Sequence, residues 1–303
     1  MFKKAFSLAL TLWIVAIISL VSALYLTYGK KVVDKTIKLE KKINIIFETE
    51  STIELLKFYI MTGEIINNRV DNKLLKKNFP KLPSTLFIDG RKTLWNQQVI
   101  TLQDTAGLIG LADTEAIANS LILSENDSKD KKVIIQNSMN DWLDENKIPL
   151  LNGAEDAFYI DEKYKPRDEN YFAAREEIFL VRGVSDISII KKEELMSKLI
   201  ASNYILRNLL TMDINLLGKI YNLSKIEVEQ LIKAKSEGKN SLLTMFYTLR
   251  PKAFNNESIG ISPSRIIQLS VFSETKELAE KIKLLISFRP KESHAFEVLE
   301  YNN

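Results

Sequence analysis

The first thirty residues constrain this chain most, because they contain a long segment without a charged side chain. Residues 6–28 read FSLALTLWIVAIISLVSALYLTY and directly follow Met-Phe-Lys-Lys-Ala. At about 1.5 Å per residue this segment forms a helix roughly 35 Å long, which exceeds the ~30 Å hydrocarbon core of a bilayer. The sequence therefore predicts a helix that anchors the chain in a membrane or carries it across one.

The apolar segment has three possible fates. A cleavable secretory signal needs a shorter apolar core followed by small residues, and Val21-Ser22-Ala23 offers such residues, but the apolar sequence continues beyond them. A prepilin-type leader would instead be cut after Ala5, so that Phe6 becomes the new N-terminus and the helix is kept. Lys3-Lys4-Ala5-Phe6 fits a leader of that kind. The third fate is an anchor that stays uncut.

The overall composition excludes several classes of protein. Lys and Arg number 42 against 39 Asp and Glu, and this balance argues against bulk attraction of nucleic acid. The chain has no cysteine and one histidine. Disulfide frameworks, thiolate nucleophiles, cysteine metal sites and histidine-rich zinc sites are therefore excluded.

The charges that flank the apolar segment make its orientation a question. Two lysines precede it, whereas six follow it, at positions 30, 31, 35, 38, 41 and 42. The positive-inside rule would keep the following domain in the cytoplasm. We predict the opposite orientation, because a dedicated export route can override local charge and because Asp34 and Glu40 partly offset the lysines.

The rest of the chain predicts an α+β fold. Residues 30–62 contain neither proline nor glycine and carry apolar residues at helical spacing, so one helix is expected from Phe6 to near Thr62. Strands are expected at residues 85–88, before a hairpin turn at Asp89-Gly90, and again at residues 265–272, 281–289 and 295–301. Short helices are expected between. The economical architecture is a small antiparallel sheet packed on the long helix, with a helical subdomain inserted between its strands.

An acidic segment in the middle of the chain carries the densest chemistry. Its oxygen-bearing side chains include Asp141, Asp144, Asn146, Glu155 and Asp156. One interpretation is a polar loop whose side chains cap helices and close turns. A second is a calcium site, since Ca²⁺ takes six to eight oxygen ligands on adaptable loops. A third is a pair of catalytic carboxylates, Glu155 and Asp156.

Several segments resemble the K-type minor pseudopilin of the type II secretion system, known as general secretion pathway protein K. Residues 141–146 (DWLDEN) and 152–159 (NGAEDAFY) are similar to the family's DWIDxD…GAEDxYY signature. Three further segments resemble family motifs in the same order: VITLQDTAGLI at 99–109, RDEN at 167–170 and EEIFLVRGV at 176–184. Asp104-Thr105 departs from the family's Asp-Glu, and Ala5 replaces the commoner glycine before the cleavage site.

The resemblance implies a pilin-like fold with a large helical insertion and calcium in the globular part. It implies prepilin peptidase cleavage after Ala5, N-methylation of Phe6, and Leu10 where other pilins carry a glutamate. The expected divisions are 1–5 leader, 6–28 membrane span, 29–104 amphipathic helix and first strands, 105–250 inserted helical subdomain, and 251–303 C-terminal strands.

The function implied by the resemblance is that of a non-enzymatic minor pseudopilin in the inner membrane, with a periplasmic globular domain. Such a protein would nucleate the tip of the secretion pseudopilus with the I- and J-type minor pseudopilins and the major pseudopilin. The expected calcium ligands are Asp141, Asp144, Asn146, Glu155 and Asp156. The alternative is a membrane-tethered extracytoplasmic enzyme that uses Glu155 and Asp156.

Overall fold

The computed structural model describes residues 2–79, 82–121, 129–162, 164–202, 205–253, 258–274, 279–289 and 295–302. One helix, α1 (Phe2–Thr62), runs through the first fifth of the chain and confirms the predicted continuous helix. Among the described residues, α1 is the one helix long and apolar enough to cross a membrane.

The two halves of α1 have different surroundings. All side chains from residue 30 to residue 44 are exposed, and Ile45 is the first buried one among those described. From there the helix buries one stripe, at Ile45, Ile53, Leu56, Tyr59 and Ile60. These positions recur at helical spacing, so one face of the second half packs on the domain while the opposite face stays in solvent.

A five-stranded antiparallel sheet forms the surface on which α1 packs. Its order is β12-β11-β10-β5-β4, and α1 crosses β10 and β11. Along β11 the alternate residues Ile282, Leu284 and Ile286 face the helix and are buried, which confirms the predicted alternation. The strands are β4 (Asp89–Trp95), β5 (Gln98–Asp104), β10 (Ile266–Glu274), β11 (Ala279–Ser287) and β12 (Glu297–Asn302).

The predicted hairpin turn at Asp89-Gly90 is wrong. Strand β3 (Thr85–Phe87) ends there, but it pairs with β2 (Arg69–Asp71) in a separate three-stranded sheet completed by β1 (Glu64–Ile66). The hairpin that leads into β5 turns instead at Asn96 and Gln97, whose φ angles of 52° and 63° lie in the left-handed region. Asparagine tolerates that region, so the turn needs no glycine.

Between β5 and β10 the chain forms a mainly helical block with its own core. Trp142, Ile117, Met139, Leu217 and Phe246 are fully buried in it. Two short parallel strand pairs, β6 with β7 and β8 with β9, join segments of the block. Its elements are β6 (Ile109–Gly110), α3 (Thr114–Leu121), α4 (Lys129–Leu143), α5 (Ile189–Met196), β7 (Leu199–Ile200), β8 (Arg207–Asn208), α6 (Ile214–Ile220), α7 (Lys225–Glu237), α8 (Lys239–Leu249) and β9 (Ile259–Gly260); a short helix, α2 (Lys73–Asn78), precedes β3.

A buried carboxylate joins the sheet to the helical block. Asp104, the last residue of β5, is 0% exposed. One of its oxygens accepts hydrogen bonds from Asn208 Nδ2 at 3.1 Å and Thr211 Oγ1 at 2.9 Å, both in the block. The other accepts from Ser264 N at 2.9 Å and from the Ser264 hydroxyl, just before β10. One side chain thus connects the segment that leaves the sheet, the segment that re-enters it and the block between them.

We expect Asp104→Ala to destabilise the full-length protein, because it removes the acceptor of hydrogen bonds from the buried side chains of Asn208 and Thr211 and from Ser264. Each such loss costs about 1–3 kcal/mol. Thermal unfolding in mild detergent should show a melting temperature lower by about 5 °C or more. Asp161→Ala, which removes an exposed carboxylate, is the matched control and should change it by about 1 °C or less. Equal shifts in the two variants would contradict the role given to Asp104.

Candidate metal centre

Three of the predicted acidic residues meet at the end of α4. Asp141 lies in the last turn of this helix, Asp144 directly follows it, and Glu155 comes from the next loop. One carboxylate oxygen from each residue lies within 4.8 Å of the other two. We call these three residues the acidic triad. Oxygens at this spacing, on a helix end and an adjoining loop, are the donor set that a hard cation such as Ca²⁺ takes.

Glu155 is the most unusual member of the triad. Its side chain is 4% exposed, yet neither carboxylate oxygen has a hydrogen-bond partner in the described part of the chain. Burial, together with the neighbouring charges of Asp141 and Asp144, raises the pKa of Glu155 to about 7. A buried carboxylate without a donor costs free energy unless a proton or a cation compensates it. A proton or a cation at the triad would supply that compensation.

Asp141 is fully buried but is not left without donors. Both of its oxygens accept from the backbone amide of Leu150, at 3.1 and 3.2 Å. Burial nevertheless raises the pKa of Asp141. The bond to Leu150 folds the loop of residues 146–154 back over the helix end, and this fold places Glu155 beside the helix.

Gly153 is required by the close approach of that loop to Asp141. A Cβ at position 153 would lie 1.9 Å from Asp141 Oδ2, a distance that no side chain permits. Arg182 fastens the same loop from outside, because its guanidinium donates to the carbonyls of Gly153 at 3.0 Å and Asn152 at 3.4 Å. The glycine of the NGAEDAFY segment thus has a specific steric role in the site.

Trp142 fixes the helix end from the opposite side. Its indole is buried, packs edge-to-face on Tyr159 at 5.3 Å, and donates from Nε1 to Glu177 at 2.9 Å. Arg167 donates to the same Glu177 oxygen at 2.8 Å. Burial opposes ionisation of Glu177, but the hydrogen bonds from Arg167 and Trp142 outweigh it and lower its pKa. This aromatic and charged support holds Asp141 and Asp144 in place without filling the site between them.

The other two predicted ligands have different partners. Asn146 is exposed, and its side-chain oxygen accepts from the amide of Ile148 at 2.8 Å, as in the turn-closing interpretation. Asp156 is exposed and pairs with Lys147 at 3.2 Å. Of the five residues, the structure brings together Asp141, Asp144 and Glu155. The ligand set itself remains a prediction.

Asp168 is a further candidate ligand, one that was not predicted from the sequence. One oxygen pairs with Lys147, whose pKa rises mainly because of this hydrogen bond. The other oxygen is buried and has no hydrogen-bond partner among the described residues. The charge of Asp168 also contributes to the raised pKa of Glu155. Its backbone is left-handed, with φ 58°, a conformation that Asp tolerates, but the sequence gives no sign that this turn returns to the triad.

The residues predicted to be involved in maturation lie at the other end of the molecule. Ala5, Phe6 and Leu10 belong to the first turns of α1, and their side chains lie outside what the structure describes. Cleavage after Ala5 and methylation of Phe6 therefore remain predictions.

Most of the chain is similar in structure to a known secretion component, although no family model and no curated protein matches its sequence. The similar structure is a chain from the crystal structure of the GspK–GspI–GspJ complex of the type 2 secretion system of enterotoxigenic Escherichia coli. The TM-score is 0.56, the sequence identity is 15%, and the match covers 88% of this chain and 98% of that one. This similarity confirms the expected α+β pilin-like fold, in which a long N-terminal helix packs on an antiparallel sheet with additional helices.

Proposed function

We propose that this chain is a minor pseudopilin that helps to nucleate the pseudopilus of a type II secretion system. The observation that carries the proposal is the similarity in fold to a chain of the GspK–GspI–GspJ complex over nearly the full length of both chains. The motif order DWLDEN, NGAEDAFY and EEIFLVRGV along the sequence supports it independently. The proposed partners are I- and J-type minor pseudopilins and the major pseudopilin.

The proposed location follows from the shape of α1. Residues 6–28 cross the inner membrane, and the exposed segment that follows carries the globular domain into the periplasm. We propose that prepilin peptidase removes residues 1–5 and that Phe6 becomes N-methylated. Leu10, at the position of the usual pilin glutamate, suits a tip subunit, because no preceding subunit would pair with a charge there.

A structural role is also favoured over the enzymatic alternative. Glu155 and Asp156 would have to act together as acid and base, but their surroundings separate them. The oxygens of Glu155 are buried beside Asp141 and Asp144, whereas Asp156 is exposed and pairs with Lys147. We therefore propose that the triad has a metal-binding role and not a catalytic one.

Calcium is the cation that fits the triad best. Carboxylate oxygens are hard ligands, the chain has no cysteine, and three carboxylates on a helix end and a loop supply half of a typical Ca²⁺ shell. The unpaired oxygen of Asp168 and backbone carbonyls of the loop could add further ligands. Bound calcium would replace the proton on Glu155 and fix the loop against α4.

The mature N-terminus tests the maturation step. In cells that contain a prepilin peptidase, intact-mass analysis should show loss of residues 1–5 and one added methyl group on Phe6. The same chain from a strain without the peptidase is the matched control and should keep Met1. An unmodified Met1 in both strains, or a chain that starts near Ala23, would contradict the proposal.

Co-purification tests the proposed assembly. The full-length chain, expressed with the I- and J-type minor pseudopilins of the same organism, should be recovered with both from detergent extracts. Either partner expressed with an unrelated single-span protein is the control and should not be retained. Recovery of the chain alone, while the I- and J-type proteins still bind each other, would count against a tip role.

Calcium binding should depend on Glu155 and on pH. Binding requires the carboxylate form, so with a pKa of about 7 the apparent affinity of the full-length protein should be about tenfold weaker at pH 6 than at pH 8. In the metal-free protein a rise in pH has the opposite effect, because it lowers the stability of the fold. Since the pKa is raised, protonation of Glu155 stabilises the fold at low pH, and this stabilisation is lost as the pH rises through about 7.

Calorimetric titration and thermal unfolding of the EDTA-treated protein check both effects. Glu155→Gln should weaken calcium binding about tenfold or more and remove its pH dependence, because the neutral amide does not titrate. Glu162→Gln removes an exposed carboxylate from the same loop region and should leave both unchanged. If Glu155→Gln bound calcium as the unaltered protein does, the triad would not be the site.

A further inference from the structure

The segment of α1 that leaves the membrane carries its lysines on one side. At about 100° per residue, the six lysines between residues 30 and 42 fall within an arc of about 140°. We call them the lysine stripe; its members are Lys30, Lys31, Lys35, Lys38, Lys41 and Lys42. All six are exposed. Two carboxylates lie in the same segment, Asp34 within the arc of the lysines and Glu40 on the opposite side, so the positive charge is partly offset.

The opposite side of this segment is mainly apolar, although Thr36, Glu40 and Asn44 also lie on it. Val32, Val33, Ile37, Leu39 and Ile43 are exposed and occupy the arc that faces away from the lysine stripe. No side chain between residues 30 and 44 is buried against the globular domain. The stripe is therefore a surface on an otherwise isolated rod, and its position next to the span indicates what it meets.

We propose that the lysine stripe binds the anionic phospholipid headgroups of the leaflet from which α1 emerges. This inference rests on the membrane-spanning role given to α1 in the proposed function. Lys30 and Lys31 begin two residues after the charge-free segment ends at Tyr28, so they lie at headgroup level. Lys35 and Lys38 follow about 8 and 12 Å further along the axis. Lysines near an anionic membrane surface are attracted to it electrostatically.

Two features of the helix direct these side chains back to the membrane. In an α-helix every Cα–Cβ bond tilts toward the N-terminus, which here is the membrane side, and long lysine stems extend that direction. The charge-free segment is also about 5 Å longer than the hydrocarbon core, so α1 can tilt. A tilt of α1 toward the side of the lysine stripe brings these lysines onto the headgroups and turns Val33 away from the membrane.

Lipid selectivity of the reconstituted full-length chain tests this inference. In phosphatidylcholine vesicles that contain spin-labelled lipid, the protein should hold phosphatidylglycerol in its first lipid shell about threefold more strongly than phosphatidylcholine. The preference should fall to near one in 0.5 M salt, where the screening length shortens to about 4 Å. The salt titration needs no variant and therefore does not depend on how any variant folds.

Neutralising five of the six lysines of the stripe should remove most of the preference. The stripe variant replaces Lys30, Lys31, Lys35, Lys38 and Lys42 with glutamine. A matched variant removes five exposed lysines from the globular part, with the substitutions Lys92→Gln, Lys225→Gln, Lys233→Gln, Lys239→Gln and Lys252→Gln, and should keep the preference. A ratio near one for the unaltered chain, as expected if an acidic partner helix is the true ligand, would overturn the inference. So would an unchanged ratio in the stripe variant.

Carbonate extraction of the same vesicles separates this inference from the proposed function. A chain that resists extraction but shows no lipid preference refutes the lysine stripe as a lipid site and leaves the pseudopilin proposal intact. A chain that carbonate releases does not span the membrane, and both proposals then fail.

Discussion

The structure depends on one helix that must be stable in three surroundings. Residues 6–28 of α1 are free of charge and suit a lipid environment, the middle part is exposed on all sides, and the last part buries a single stripe against the sheet. No proline interrupts it between residues 6 and 62. The helix is therefore a continuous rod between the apolar segment and the globular domain, and it carries the lysine stripe between the two.

Polar groups, and not apolar packing alone, set the arrangement of the globular domain. The sheet and the helical block each have a hydrophobic core of their own. At their junction Asp104 accepts hydrogen bonds from both sides, and it does so without a basic partner among the described residues. Glu155 is the contrasting case, since it is buried without donors. One buried carboxylate is satisfied by the fold itself, and the other requires something added to it.

Much of this architecture could be predicted from the sequence, because it depends on periodicity. The extent of α1 and the alternation along β11 were both predicted from apolar spacing, and three of the five predicted site residues meet in space. The hairpin was misplaced because Asn96-Gln97 forms a left-handed turn without glycine. The contributions of Asp104 and Asp168 depend on contacts with residues distant in sequence, such as Thr211, which local patterns cannot reveal.

The exposed middle part of α1 also determines how the globular domain is oriented. Because residues 29–44 form continuous helix, the domain stands about 24 Å from the end of the apolar segment. Any change in that distance also rotates the domain about the helix axis. Each residue added or removed here would move the domain by only about 1.5 Å but turn it by about 100°. An insertion of seven residues, about two turns, would raise it by about 10 Å and leave its facing nearly the same. A change in the length of this segment therefore alters the direction in which the domain faces far more than its distance from the apolar segment.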